Sequence, residues 1–272
     1  MAIVGEVISV FGFLRNAWKL RKERRDPTRL SANRLITAFE AHGIARQQII
    51  RLLPAPVLEA SPEVTMADFS SPEKLQHKLS PQLLDWAAEY LNLKRAWLDG
   101  VDEPPHVVID RYKRPAEYRA WFQARQAQAP EVGRWMSVWK AKGEEIGPDG
   151  SGPLCLVYEE TSEGLDSKEW SRYWLLSDEW RLDHSPCVEN MAAAVAVARS
   201  LGILVTGHGL PLDKLTRVTT GKMLIPQAAL HRRGRWYPED LADPAPGRNT
   251  EWQRAVWEGG QAWLAEAHRD TP

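Results

Sequence analysis

The stretch LSPQLLDWAAEYLNLKRAWLDG, residues 79–100, constrains the fold more tightly than any other part of the chain. Ser80 offers a hydroxyl to cap a helix, and Pro81 follows where a missing N–H costs nothing. Leu84, Ala87, Ala88 and Leu91 then recur at helical spacing and make one apolar face. Asn92 is a stop signal. A second short turn carries Trp97 and Leu98 to Gly100, a residue free to take the left-handed conformation that ends helices. Such a segment cannot be a strand or a linker. It needs neighbouring helices to bury its face.

The preceding residues supply them. In DPTRLSANRLITAFEAHGIARQQIIRLL, Leu30, Leu35, Ile36 and Phe39 form the apolar side of one helix, which ends at His42-Gly43. Ile49, Ile50, Leu52 and Leu53 belong to a second helix, stopped by Pro54. A Pro- and Ser-rich connection and a short helix at residues 73–78 lead to the opening stretch. Further on, Pro115–Gln126 reads as a helix with Tyr118, Trp121 and Phe122 on its apolar side.

The segment RLITAFEAHGIARQQIIRLL resembles the first two helices of Cro/repressor-type (XRE-like) helix-turn-helix domains. The closing LLDWAAEYLNLKRAWLDG resembles the last helix of that family, where the Trp-Leu-x-Gly ending is structural. The resemblance covers about a quarter of the chain. It implies double-stranded DNA as a partner and a regulatory role. Arg46, Gln47, Gln48 and Arg51 carry base-reading chemistry on a helix, and Arg29 and Arg34 lie in the nearby basic stretch. One departure weighs against DNA: residues 54–80 hold Glu59, Glu63, Asp68 and Glu73 against only Lys74 and Lys78, although phosphate binding needs positive charge. The alternative expectation is therefore a non-enzymatic interaction or scaffold protein whose bundle does not read DNA.

The first 25 residues open apolar and turn basic. Val4, Val7, Ile8, Phe11, Leu14 and Trp18 form a stripe at helical spacing, followed by Lys19, Arg21, Lys22, Arg24 and Arg25. The run is too interrupted to span a bilayer, which takes about 20 mostly apolar residues. Trp18 and the five basic residues are candidates for a partner surface or, less favoured, a membrane surface. The basic residues follow the apolar start, so no signal peptide is legible. Two cysteines, Cys155 and Cys187, make neither a disulfide framework nor a zinc site, and a reducing cytoplasm is the expected compartment. The net charge of -1 supplies no global attraction to nucleic acid or membrane.

From Glu131 on, the texture changes. PLCLVYEE (153–160), SRYWLLSDEWRL (171–182) and ILVTG (203–207) read as strands, and CVENMAAAVAVARSLG and PLDKLTRV as helices. The last helical segment, NTEWQRAVWEGGQAWLAEAH, reads as broken at Gly259-Gly260. GHG (207–209) and TTGK (219–222) lack the spacing of phosphate loops and read as turns. Arg232, Arg233, Arg235 and Trp236 form a candidate anion or partner patch, with a solvated turn as the competing reading. No catalytic group, metal cluster or cofactor motif is legible, so an enzyme is not expected. The expected fold class is α+β: residues 1–25 an amphipathic helix, 26–128 an all-α helix-turn-helix-like bundle, and 129–272 a small mixed α/β domain for a ligand or partner, with a C-terminal helix. A protein partner and homo-oligomerisation complete the expectations.

Overall fold

The structure, a computed structural model, describes residues 26–243 and 250–269. The expected N-terminal amphipathic helix lies outside them, with Trp18, Lys19, Arg21, Lys22, Arg24 and Arg25. Among the described residues the chain is α+β, with 12 helices and one five-stranded mixed sheet. No helix among them is long and apolar enough to cross a membrane.

The chain divides into two compact units. One holds the described residues up to 40 and residues 44–103; the other holds residues 41–43 and everything from Pro104 on. This corrects the boundary expected at residue 128. The helix after the Pro104-Pro105 break belongs with the sheet, because Tyr118 and Phe122 are buried in the sheet's core.

The first unit is helical: α1 (Pro27–Ala41), α2 (Arg46–Leu52), α3 (Ala55–Ala60), α4 (Pro72–Leu75), α5 (Pro81–Leu91) and α6 (Arg95–Leu98). Leu35, Ile36 and Phe39 of α1, Ile49 of α2 and Leu83, Ala87 and Leu91 of α5 are fully buried. The caps form as the sequence dictates. Ser80 Oγ accepts from Leu83 N–H at 3.1 Å, and Asn92 closes α5 at φ +54°. Leu98 is fully buried, and Arg34 ties the α6 end to α1 by donating to the carbonyls of Trp97 and Val101 (2.8 Å to Val101). Its guanidinium also lies 5.1 Å from the Trp97 ring centre.

The second unit is built on α7 (Pro115–Gln128), β1 (Gly133–Ala141), β2 (Cys155–Glu163), β3 (Glu169–Leu175), α8 (Ser185–Ser200), β4 (Leu204–Leu210), α9 (Leu212–Thr219), α10 (Ile225–Ala229), β5 (Arg233–Trp236), α11 (Glu239–Ala242) and α12 (Glu251–Arg269). Strand order is β3-β2-β1-β4-β5. Strands β1, β2 and β3 form an antiparallel meander. Helix α8 then carries the chain back so that β4 runs parallel to β1, and β5 returns antiparallel. Parallel neighbours need such a crossover.

Side chains alternate between the two faces of the sheet. On one face Met136, Val138, Leu156 and Tyr158 pack under α7 and α8, with Leu241 of α11 and Val256 of α12 joining the same core. Glu160, with a fully buried side chain, is held there by Arg125 of α7 (Nε to Oε1 3.0 Å) and approached by Arg172 at 3.6 Å. A buried carboxylate survives because it is paired and hydrogen-bonded. On the other face Trp139, Val157, Leu175 and Leu210 pack under Leu215 and Val218 of α9 and Ile225 and Ala228 of α10.

Helix α12 runs unbroken through Gly259-Gly260, which corrects the expected break. The glycines mark its crossing with α8: a Cβ on Gly260 would stand 3.2 Å from Glu189 O and 3.4 Å from Ala193 N. Trp263 Nε1 donates to Glu189 at 3.3 Å across the same contact. Gly260→Val, which must push these helices apart, is expected to cost about 1–3 kcal/mol in urea unfolding. Gly147→Ala, where a Cβ meets nothing within 4 Å, serves as the neutral comparison.

Candidate functional site

Helices α9 and α10 pack on the half of their face around Trp139, Val157 and Leu175. Beyond that half the same face turns polar. Register places the side chains: Trp135 pairs with Glu159, Ser137 with Thr206, Trp139 with His208, and Thr161 with Ser171. Trp135, Ser137, Glu159, Thr161, Thr206 and His208, with Glu169 and Arg232 at its margin, line a cavity of about 260 Å³.

These groups are organised. Ser137 and Thr206 share a hydrogen bond of 3.1 Å across β1 and β4, and Thr161 and Ser171 one of 2.8 Å across β2 and β3. Tyr173 donates its hydroxyl to Glu159 Oε1 at 3.0 Å. Arg232 stands 4.0 Å from Glu159 Oε2, its Nε anchored to Ala229 O at 3.0 Å. Trp135 lies back along β1: a Cβ on Gly133 would meet its six-membered ring at 2.4 Å, so Gly133 makes room for the indole. Burial lowers the His208 imidazole below its ordinary value, helped by the positive charges of Arg232 and Arg235. That shift favours the uncharged ring, which has one donor and one acceptor.

The GHG stretch is part of β4, not a turn. Its glycines free the opposite face: a Cβ on Gly207 would meet the Trp236 ring at 2.6 Å, while His208 between them faces the cavity. Residues 219–222 are the end of α9 and the turn at Gly221, φ +66°. The candidate basic patch is divided by β5. Arg232 reaches the sheet-face cavity, Arg233 donates to Arg232 O at 2.7 Å, and Arg235 and Trp236 line a second cavity of about 490 Å³ with Lys140, Glu144, Asp240 and Gln253.

In the helical unit, the candidate DNA-contacting side chains are largely engaged internally. Arg46 grips Glu40 through two hydrogen bonds (2.6 and 3.1 Å) and donates to Ser70 O at 2.7 Å. Gln48 is buried and accepts from Ala45 N–H at 3.1 Å, closing the start of α2. Arg29 pairs with Glu73, and Arg34 holds the α6 end. Gln47 and Arg51 are exposed. The resemblance implies a recognition helix after α2. The element in that place is α3, APVLEA, whose only charged residue is Glu59.

Neither thiol is poised for chemistry. Burial pushes Cys155 up to about 12 and raises Cys187 as well. Among the described residues no group of three or more His, Cys, Asp or Glu is placed to hold a metal ion. No family model, curated protein or solved structure matches this chain.

Sequence reasoning missed the cavity. Its lining comes from four strands, two of its polar groups (Glu159 and His208) being far apart in sequence. Alternation was the available signal: in both Trp135-Ser137 and Thr206-His208, polar or amphipathic side chains recur every second residue.

His208 gives a pH prediction. Its folded pKa is depressed, so the unfolded chain binds the proton more readily, and stability falls as pH drops below about 6.5. Fully buried His106, whose Nε2 accepts from Ile225 N–H at 2.8 Å, acts in the same direction. NMR titration should place His208 below about 6.5, and Arg232→Gln should move it upward.

Proposed function

We propose that this is a non-enzymatic binding protein. Its sheet unit holds a small polar ligand in the sheet-face cavity, and its helical unit is a partner-docking bundle that does not read DNA. The observation carrying this reading is the polar half-face. Four strands present hydroxyls, a carboxylate and an imidazole toward one cavity, beside the part of the same face that is buried under apolar helices. A small number of convergent polar groups in a concavity is the usual chemistry of a ligand site.

The bundle half of the reading rests on charge. DNA binding draws its affinity from cations set against phosphates and its specificity from donors set against base edges. Helix α3 offers neither, and Arg29, Arg34 and Arg46 hold the bundle together. Two buried free thiols accord with a reducing, cytoplasmic setting. The competing reading, a helix-turn-helix regulator with a sensing domain, keeps Gln47 and Arg51 of α2 as base contacts.

Fluorescence anisotropy of the full chain on a mixed-sequence duplex, from about 50 to about 200 mM salt, separates the two. No binding is expected even at the lowest salt. Binding that falls steeply with salt and is lost in the Arg46→Ala, Gln47→Ala, Arg51→Ala triple variant would restore the regulator.

A further inference from the structure

The ligand class can be argued from the charges around the cavity, taking the sheet-face site as the place of binding. An anion would meet the Glu159 carboxylate, only 14% exposed, with Glu169 at the margin. A cation would meet Arg232, whose guanidinium is fixed by Ala229 O. Glu159 and Arg232 already stand 4.0 Å apart, so a zwitterion would have to separate them to pair with each. A neutral molecule with adjacent hydroxyls needs no such separation. One hydroxyl donates to the carboxylate while its neighbour accepts from the guanidinium.

The remaining lining suits the same chemistry. Ser137, Thr161 and Thr206 carry hydroxyls that both donate and accept, and His208 adds one donor and one acceptor. Trp135 supplies an apolar ring, its six-membered part beside Gly133. An indole plane can cover the C–H face of a ring whose edge is hydroxylated. At about 260 Å³ the cavity falls just below the usual range of small-molecule sites, about 300–1,000 Å³. A single sugar-sized ring fits this scale better than a nucleotide or an oligomer.

We propose that the sheet-face cavity binds a neutral polyhydroxylated ring, a monosaccharide or cyclitol, with Glu159 and Arg232 reading adjacent hydroxyls and Trp135 covering the ring. Glu159 is the principal acceptor, and the Ser137-Thr206 pair reads a further hydroxyl.

The test is calorimetric titration of the full chain with three sets of probes: glucose, galactose, mannose and myo-inositol; the zwitterions glycine and glutamine; and inorganic phosphate. Each set is repeated on Glu159→Gln and Thr206→Val, which keep side-chain size. The expected result is saturable binding of at least one polyol, weakened at least about tenfold by Glu159→Gln. Binding of a zwitterion or phosphate in place of the polyols, weakened by the same substitutions, would overturn the ligand class and leave the site standing. No saturable binding from any set, or binding that both substitutions leave unchanged, would overturn the site as well.

Discussion

A sheet has two faces to keep from water, and the helices of this unit leave part of each to line a cavity. That constraint governs the second unit. Met136, Val138, Leu156 and Tyr158 meet α7 and α8 on one face, with Lys140 and Trp236 beyond them at the second cavity, while α9 and α10 meet the part of the other face around Trp139, Val157 and Leu175. Away from those helices the same face carries hydroxyls, a carboxylate and a histidine beside Trp135 and the exposed Leu204. The boundary runs along single strands: in β1, Ser137 and Trp139 are successive residues of one face, the first polar and the second under helices. A change of covering, not of secondary structure, makes the cavity.

The helical unit obeys a different constraint. Its helices are short, and α2, α3, α4 and α6 each have seven residues or fewer, too few to be stable alone. They depend on tertiary anchors. Arg34 satisfies two carbonyls at the α6 end, Arg46 joins Glu40 to the carbonyl of Ser70, and Gln48 closes α2. Hydrogen bonds from a charged donor are the stronger kind. Side chains committed to holding the bundle cannot also face a phosphate backbone without releasing what they hold. The acidic character of residues 54–80 and the internal use of the arginines thus point the same way.

Much of the fold was legible in the sequence where local signals agree with tertiary packing. The Ser80 cap, the Asn92 stop and the apolar face of α5 all appear as written, and so does the alanine-rich α8. Where tertiary packing overrides local preference, the sequence misleads. Two glycines each weaken a helix by about 1 kcal/mol relative to alanine, which is why Gly259-Gly260 read as a break. The close crossing with Glu189 and Ala193 outweighs that cost and keeps the helix whole. The glycines of GHG read as a turn for a similar reason, although Gly207 makes room in β4 for the ring of Trp236 and Gly209 for the backbone of Arg233 and Lys142. Strand β1 was hidden because RWMSVWKA mixes polar and apolar residues on both faces, Trp135, Ser137 and Trp139 on one and Met136, Val138 and Lys140 on the other. The cavity was illegible as a motif, since register and not spacing brings Glu159, Thr206 and His208 together.

The central claim is that the polar half-face is kept for a ligand and not for folding. The most direct measurement is urea unfolding of the Ser137→Ala, Thr206→Val double variant against the parent. It removes both partners of the 3.1 Å hydroxyl pair at once and strands neither. Replacing both members of such a pair by apolar groups is nearly neutral or stabilising when the pair is not needed for stability. The expected stability is equal to or above the parent's, within about 1 kcal/mol. A loss of about 2 kcal/mol or more would mean that the pair holds β1 to β4, and would contradict the claim.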